Sequence, residues 1–175
     1  AYLDVPSAGR DADRETRTDD GDVARAIAGE LRRAGDRPFF VWAHLFDAHG
    51  PHLPSHRGAP FRGYEGEVHS TDESVGTMLA ALAQTGRDRD TIVVVTADHG
   101  EELLEHGASG HGAELYEESV RVPLLVRVPG VAPSDVGAPV STVDVGATLF
   151  DALGLAAPSS FDGTSLLPAM TGETR

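Results

Sequence analysis

The sequence of 175 residues contains no cysteine and no lysine. The absence of cysteine excludes disulfides, thiolate metal ligands and cysteine nucleophiles within these residues. The 14 basic residues, all arginine, stand against 28 acidic ones, which gives a net charge of −14 at pH 7. This acidity argues against nucleic acid or an anionic membrane as the main partner. It is compatible with a cation site, although an acidic surface is the simpler explanation.

Long apolar runs are also missing, since no stretch approaches the roughly 18 residues that a membrane-spanning helix needs. No signal-peptide pattern opens the sequence, but such a signal could lie upstream of an incomplete chain, so no compartment is predicted. The remaining composition, 40% apolar and 24% charged, is typical of a globular protein. We expect a single domain over residues 1–175, with residues 1–20 as a loop or frayed segment.

Helix-like and strand-like segments alternate along the chain. Apolar spacing predicts helices at about 22–34, 67–84 and 144–153, the last one capped by Asp144. Short apolar runs predict strands at 38–46, 92–95, 122–128 and, more briefly, 140–143, and one helical turn is expected near residue 166. Because a helix between two strands supplies the crossover that parallel pairing requires, the order predicts an α/β fold with a largely parallel sheet.

A polar pair, Asp98 and His99, follows the buried strand predicted at 92–95. Ligands of open α/β sheets bind beyond the carboxyl ends of strands. One carboxylate and one imidazole suit Zn²⁺, Mn²⁺ or, less well, Ca²⁺. Alternatively, Asp98 caps the next segment and His99 is an ordinary, partly buried histidine, since two ligands do not complete a metal site. Two more histidines, His106 and His111, follow within thirteen residues.

A second polar cluster follows the strand predicted at 38–46, with His49 and His52 in a loop that contains glycine and proline. His49 could donate a hydrogen bond to the leaving oxygen or to a non-bridging oxygen of an ester. The alternative is a turn whose histidines are only exposed to solvent.

Five short motifs, in order, resemble the region after the metal-binding strand of the sulfatases: residues 98–101, 105–107, 110–112, 115–118 and 120–124. Sulfatases belong to the alkaline phosphatase superfamily, with phosphonate monoester hydrolases and phosphoethanolamine transferases. Residues 49–52 resemble the family's His-x-Pro-His/Tyr element. The resemblance covers about residues 39–167 and implies an incomplete alkaline-phosphatase-like sandwich, with helices flanking the sheet.

The resemblance also implies roles for individual residues. Asp98 and His99 would bind the metal, and His49 would contact the sulfate ester. His111 lies where the family carries lysine or histidine, and it would contact the ester or its leaving group. The alternative for His111 is to orient a metal ligand. Two neighbours are expected to shape the loop: Glu101 and His106.

The implied chemistry is the hydrolysis of a small-molecule sulfate or phosphate-type ester by in-line displacement, assisted by a divalent metal ion. The ion would be calcium in a sulfatase, and manganese or zinc in a phosphoryl hydrolase. A phosphonate or phosphate ester hydrolase and a phosphoethanolamine transferase stay open as alternatives, because an Asp-His pair is common to both branches of the superfamily.

The chain lacks two features of the family's amino-terminal half: two metal-binding aspartates and the Cys/Ser-x-Pro-x-Arg nucleophile motif. We therefore expect it to be the carboxyl-side part of a longer enzyme and to be inactive alone. The alternative is a natural truncated form that acts as a binding module.

Overall fold

The computed structural model describes residues 19–50, 52 and 62–173. The loop predicted at residues 1–20 therefore lies almost entirely outside the described residues. The chain divides into two compact units, Ala1–Arg89 and Asp90–Arg175. A single domain over the whole chain stays a prediction.

The first unit contains two long helices. Helix α1 (Asp20–Ala34) begins after Asp19, whose side chain accepts a hydrogen bond from the Gly21 amide at 2.8 Å. This confirms the helix predicted at 22–34, with a start two residues earlier. Its buried apolar face consists of Ala24, Ile27, Ala28 and Leu31.

Helix α2 (Gly63–Gln84) packs against α1 and confirms the helix predicted at 67–84, with a start four residues earlier. Val68 and Leu79 on this helix stay more than a third exposed although both are apolar. The buried positions are mostly small or polar: Gly66, Glu67, Ser70, Ser74, Ala81 and Leu82. The interior of this unit is therefore partly polar, which matters for the candidate site.

The strand predicted at residues 38–46 does not form. Phe40 and Trp42, which the prediction buries, are exposed, and Trp42 keeps 85% of its surface accessible. A strand is stabilised by ladder hydrogen bonds to a neighbouring backbone. No residue in the described ranges forms such a ladder with this run, so the apolar pattern alone was insufficient and the prediction was wrong.

The second unit contains the strands and three short helices. In chain order its elements are β1 (Val93–Thr96), β2 (Glu102–Leu103), β3 (Ser109–Gly110), α3 (Glu117–Val120), β4 (Leu124–Arg127), α4 (Asp144–Ala152) and α5 (Leu167–Met170). Strand β1 pairs with β4 in the register Val93 to Arg127 and Thr96 to Leu124, and β2 pairs with β3. The strands predicted at 92–95 and 122–128 are thus confirmed.

The pairing differs from the prediction, because both ladders formed by described residues are antiparallel. The run at 38–46, which would precede β1 in a parallel crossover, forms no ladder there. The side chains of β1 are only half-buried or exposed, not fully buried as predicted.

The carboxyl-terminal part of the second unit is organised around Asp144. Asp144 was predicted to be the N-cap of α4, but it is the first helical residue. The N-cap is Val143. The Asp144 carboxylate accepts hydrogen bonds from the Ser141 amide at 3.1 Å and the Thr164 amide at 2.8 Å. The strand predicted at 140–143 is absent from this described segment. Helix α5 confirms the predicted turn near residue 166.

Candidate functional site

Asp98 and His99 follow β1 in a turn of residues 98–100, called here the His99 turn. The Asp98 side chain is 73% exposed, and its Oδ1 accepts a hydrogen bond from the His99 amide at 3.1 Å. The other carboxylate oxygen, Oδ2, lies 3.8 Å from His99 Nε2. One oxygen and one nitrogen donor therefore lie side by side at the carboxyl end of β1.

The ring of His99 is oriented by its own turn. Its Nδ1 lies 2.9 Å from the Gly100 carbonyl oxygen. Because a carbonyl oxygen can only accept, Nδ1 must carry the hydrogen, and the neutral ring then has its lone pair on Nε2. That nitrogen is the one beside Asp98, which is the arrangement that a shared cation requires.

Gly100 is required by a close backbone approach. A Cβ at this position would lie 1.9 Å from the Glu118 carbonyl oxygen. The Gly100 amide also donates a hydrogen bond to the Ser119 carbonyl at 2.8 Å. The His99 turn is thus fixed against α3 by backbone contacts that no larger residue allows.

His111, the third predicted site residue of this unit, stacks on His99 with ring centroids 3.9 Å apart and planes inclined by 28°. Its Nδ1 lies 3.3 Å from Oε2 of Glu101, whose side chain is nearly buried. Glu101 therefore holds the His111 ring against His99. The structure brings Asp98, His99 and His111 together, and their roles in a site stay a prediction.

A buried carboxylate for which the sequence predicted no specific role, Glu102, holds the hairpin between β2 and β3. It accepts hydrogen bonds from the backbone amides of His106 at 3.2 Å and Ala108 at 3.3 Å. The His106 ring stacks on Tyr116, with centroids 3.7 Å apart. These contacts are consistent with the loop-shaping role expected of His106, and a glutamate inside a glycine-containing hairpin was the only sequence signal for Glu102.

His49 lies in the first unit, in a turn of residues 47–50 that we call the His49 turn. Its Nδ1 contacts the Gly50 carbonyl oxygen at 2.7 Å, so this nitrogen also carries the hydrogen. Its ring stacks on Phe46, with centroids 4.4 Å apart. The ring is thus oriented in the same way as that of His99.

Three buried carboxylates lie in or beside the His49 turn, and the sequence predicted a role in the site for none of them: Asp20, Asp47 and Glu67. Asp20 accepts hydrogen bonds from the Phe46 amide at 2.6 Å and the Asp47 amide at 3.1 Å. Glu67 lies 2.6 Å from Nδ1 of His52. Asp20 and Glu67 lie on the buried faces of α1 and α2, whereas Asp47 lies in the turn itself, directly after the run at 38–46.

The donor chemistry of Asp98 and His99 fits part of a divalent cation site. Within residues 19–50, 52 and 62–173 no group of three or more His, Cys, Asp or Glu residues has the geometry to hold a metal ion. A structural zinc site takes four ligands and calcium takes six to eight. The pair therefore supplies a fraction of a coordination shell and not a complete one.

A family model described as Sulfatase matches residues 4–155 of the chain. The chain belongs to the sulfatase family. The sulfatase resemblance of the histidine-containing motifs is thereby confirmed. Over 181 aligned residues the chain is 33% identical to the steryl-sulfatase of Rattus norvegicus, covering 90% of this chain and 31% of that protein. The chain thus spans about a third of the length of this relative.

Solved structures of sulfatase-like proteins share the fold. The phosphonate monoester hydrolase of Silicibacter pomeroyi is 38% identical, with a TM-score of 0.60 over 64% of this chain and 22% of that one. A Bacteroides fragilis protein named as a sulfatase superposes with a TM-score of 0.75 over 91% of this chain and 43% of that one, at 21% identity. The predicted α/β, alkaline-phosphatase-like fold is confirmed. None of the helices in the described ranges has the length and apolar composition that a membrane crossing requires.

Proposed function

We propose that the chain forms the carboxyl-side part of the catalytic domain of a metal-dependent sulfatase, which hydrolyses the sulfate ester of a small organic molecule. The observation that carries the proposal is the cluster after β1, where the Asp98 carboxylate and His99 Nε2 lie 3.8 Å apart and His111 stacks on His99. The family membership and the similarity to steryl-sulfatase support it.

Asp98 and His99 would hold the divalent ion, which supplies electrostatic stabilisation of the ester oxygens when bound. His111, held by Glu101, would face the ester or its leaving group. His49, whose Nδ1–H is held by the Gly50 carbonyl, would donate the Nε2 proton of its imidazolium form to the departing oxygen. Calcium is the ion expected for a sulfatase, whereas the imidazole ligand is better suited to manganese or zinc.

The chain contains no Cys/Ser-x-Pro-x-Arg sequence. Without a nucleophile motif, the residues described above can bind and polarise an ester but cannot supply the attacking group. We therefore propose that the 175 residues alone do not turn over a sulfate ester. Hydrolysis by the purified 175-residue polypeptide would contradict this part of the proposal.

A phosphonate or phosphate ester hydrolase is the second candidate. The observation that favours it is the 38% identity to the phosphonate monoester hydrolase, over 64% of the chain. The Asp98–His99 pair also suits the manganese or zinc ions of phosphoryl chemistry better than it suits calcium. Sulfate and phosphonate monoesters therefore need to be compared directly.

The test uses the natural gene product, assayed with an aryl sulfate and with the matching aryl phosphonate monoester. We expect preferential hydrolysis of the sulfate. Asp98→Ala and His99→Ala should each lower kcat/KM by at least roughly a hundredfold, because loss of a metal ligand costs no less than loss of the residue that orients it. His49→Ala and His111→Ala should lower kcat by roughly 10²- to 10⁴-fold.

The matched controls are Asp72→Ala and His69→Ala on α2, outside the candidate cluster, which should leave both activities within about twofold. Preference for the phosphonate would select the second candidate. Equal activity of Asp98→Ala and Asp72→Ala would refute a role for Asp98 in the reaction.

A further inference from the structure

The His49 turn is attached to α1 by a reciprocal pair of buried aspartates. Asp20 Oδ1 accepts from the Phe46 amide at 2.6 Å, and Oδ2 accepts from the Asp47 amide at 3.1 Å. In return, the Asp20 amide donates to Asp47 Oδ1 at 3.3 Å. The chain that enters the turn is thus fixed to the first residue of α1 by three hydrogen bonds.

Helix α2 holds both sides of the same turn. Thr71 donates to Asp20 at 2.8 Å and Ser70 to Asp47 at 3.4 Å, which secures the entry to the turn. Glu67 lies 2.6 Å from His52, two residues beyond its end. Positions 67, 70 and 71 are three and four residues apart and share one helix face, so a single turn of α2 contacts both flanks of His49.

Burying these carboxylates costs desolvation free energy, which hydrogen bonds in a fixed geometry can offset. Glu67 is only 1% exposed, and carboxylates are rarely buried without charged or hydrogen-bonded partners. An apolar side chain would stabilise the α1–α2 contact at a lower desolvation cost. What the carboxylate adds is a directional contact with one ring nitrogen of His52, two residues beyond the His49 turn.

We propose that Glu67, acting through His52, is a positioning residue that fixes the His49 turn so that His49 meets the departing oxygen of the ester. This rests on the proposed function, because the contact between Glu67 and His52 is taken to serve the hydrolysis of the ester. Glu67 itself touches neither substrate nor metal in this proposal. Its effect is on the placement of His49 alone.

The chain offers a matched control on the same helix. Glu73 lies 3.8 Å from His69 and forms a second glutamate–histidine pair, six residues after Glu67 on α2. The Glu73 side chain is 62% exposed. Glu73→Ala therefore removes the same chemical group without affecting a buried contact.

The kinetic test compares an alkyl sulfate, whose leaving oxygen needs a proton, with a nitroaryl sulfate, whose leaving group departs without one. Glu67→Ala should lower kcat for the alkyl sulfate by roughly ten- to a hundredfold, the cost of a misplaced catalytic group. The nitroaryl sulfate should lose less than about threefold, and KM should change little for either. Glu67→Gln, which keeps an acceptor for His52, should recover part of the loss, and Glu73→Ala should match the wild type.

Two results would overturn the proposal. Equal losses of kcat on both sulfates would mean that Glu67 acts on general stability. Full additivity with His49→Ala would mean that the two residues act separately, whereas residues that act as one unit are expected to be non-additive.

Amide hydrogen exchange tests the same contact without turnover. The amides of residues 46, 47 and 49 should exchange faster in Glu67→Ala than in Glu73→Ala, with α1 and α2 unchanged. Identical exchange would refute the positioning role. A wild-type protein that hydrolyses neither ester would refute the proposed function instead, and the exchange data would still decide the structural part.

Discussion

The His49 turn and the His99 turn share one local arrangement and differ in what supports it. In each, Nδ1 of the histidine contacts the carbonyl oxygen of the following glycine, at 2.7 and 2.9 Å respectively. The aspartate of the first turn, Asp47, is 6% exposed and is bonded to both helices of its unit. The aspartate of the second, Asp98, has a side chain that is 73% exposed.

This difference in burial gives the aspartates of the two turns different roles. The carboxylate of Asp47 accepts a hydrogen bond from the Asp20 amide and so holds its own turn. Glu67 contacts His52 just beyond the same turn. The His99 turn is supported instead by backbone contacts at Gly100, which leaves Asp98 exposed for a ligand. Side-chain support and backbone support thus produce the same histidine orientation, with an exposed carboxylate only in the second.

Substituting the glycines should give the largest effect. Gly100→Ala should destabilise the protein by about 3 kcal/mol or more, because its Cβ would overlap the Glu118 carbonyl and the backbone must move. Gly50→Ala should cost less than about 1 kcal/mol, since the nearest atom to its Cβ would be His52 Nε2 at 3.9 Å. Urea unfolding of both variants measures the contrast, and equal losses would contradict the proposed backbone support.

Substituting the aspartates should give the next largest effect, with the order of the two turns reversed. Asp47→Ala should cost about 1–3 kcal/mol, because the Asp20 amide and the Ser70 hydroxyl lose a buried acceptor. Asp98→Ala should stay within about 0.5 kcal/mol of the wild type, as is usual for exposed side chains. Thermal unfolding without added metal is the measurement, and a strongly destabilised Asp98→Ala would assign Asp98 a structural role.

Cation binding should separate the turns functionally. A divalent cation at ten times its dissociation constant should stabilise the protein by about 1.4 kcal/mol. Asp98→Ala and His99→Ala should abolish this shift, and His49→Ala should keep it. Titrations with calcium, manganese and zinc, followed by thermal unfolding, also rank the ions. If His49→Ala abolished the shift while Asp98→Ala and His99→Ala kept it, the cation would bind at the His49 turn and the prediction would be wrong.

The smallest effect on stability is expected from substituting a carboxylate on the surface of α1. A hydrogen bond from Arg33, together with its charge, lowers the pKa of Glu30 on α1. The pKa of a glutamate in the unfolded state is about 4.3, and the ion pair stabilises the folded state fully at pH values above this. The stabilisation is lost as the pH falls through the lower pKa of the folded state. Glu30→Gln should therefore be slightly less stable than the wild type at pH 7 and should lose the difference on acidification. A difference unchanged from pH 7 to pH 2 would contradict the role of the ion pair.

Local patterns predicted most of the secondary structure because helices depend on nearby residues. The spacing of Val23, Ile27 and Leu31 placed α1, and short apolar runs placed β1 and β4. The run at 38–46 has an equally good apolar pattern, yet it forms no strand, since pairing depends on a partner distant in sequence. Asp144 was correctly located at a helix start, but its bond to Thr164 comes from a segment twenty residues away.

The sequence by itself determined the family, the α/β composition and the residue types at the candidate site, because short motifs around Asp98 and His111 are local and chemically specific. It also excluded cysteine chemistry within these 175 residues. Only the tertiary structure decided which acids are buried. Asp47 and Asp98 each follow an apolar run and lie close before a His-Gly pair. The packing of α1 and α2 encloses Asp47, whereas the Asp98 side chain is 73% exposed. Burial is a property of what surrounds a residue, and that depends on residues far along the chain.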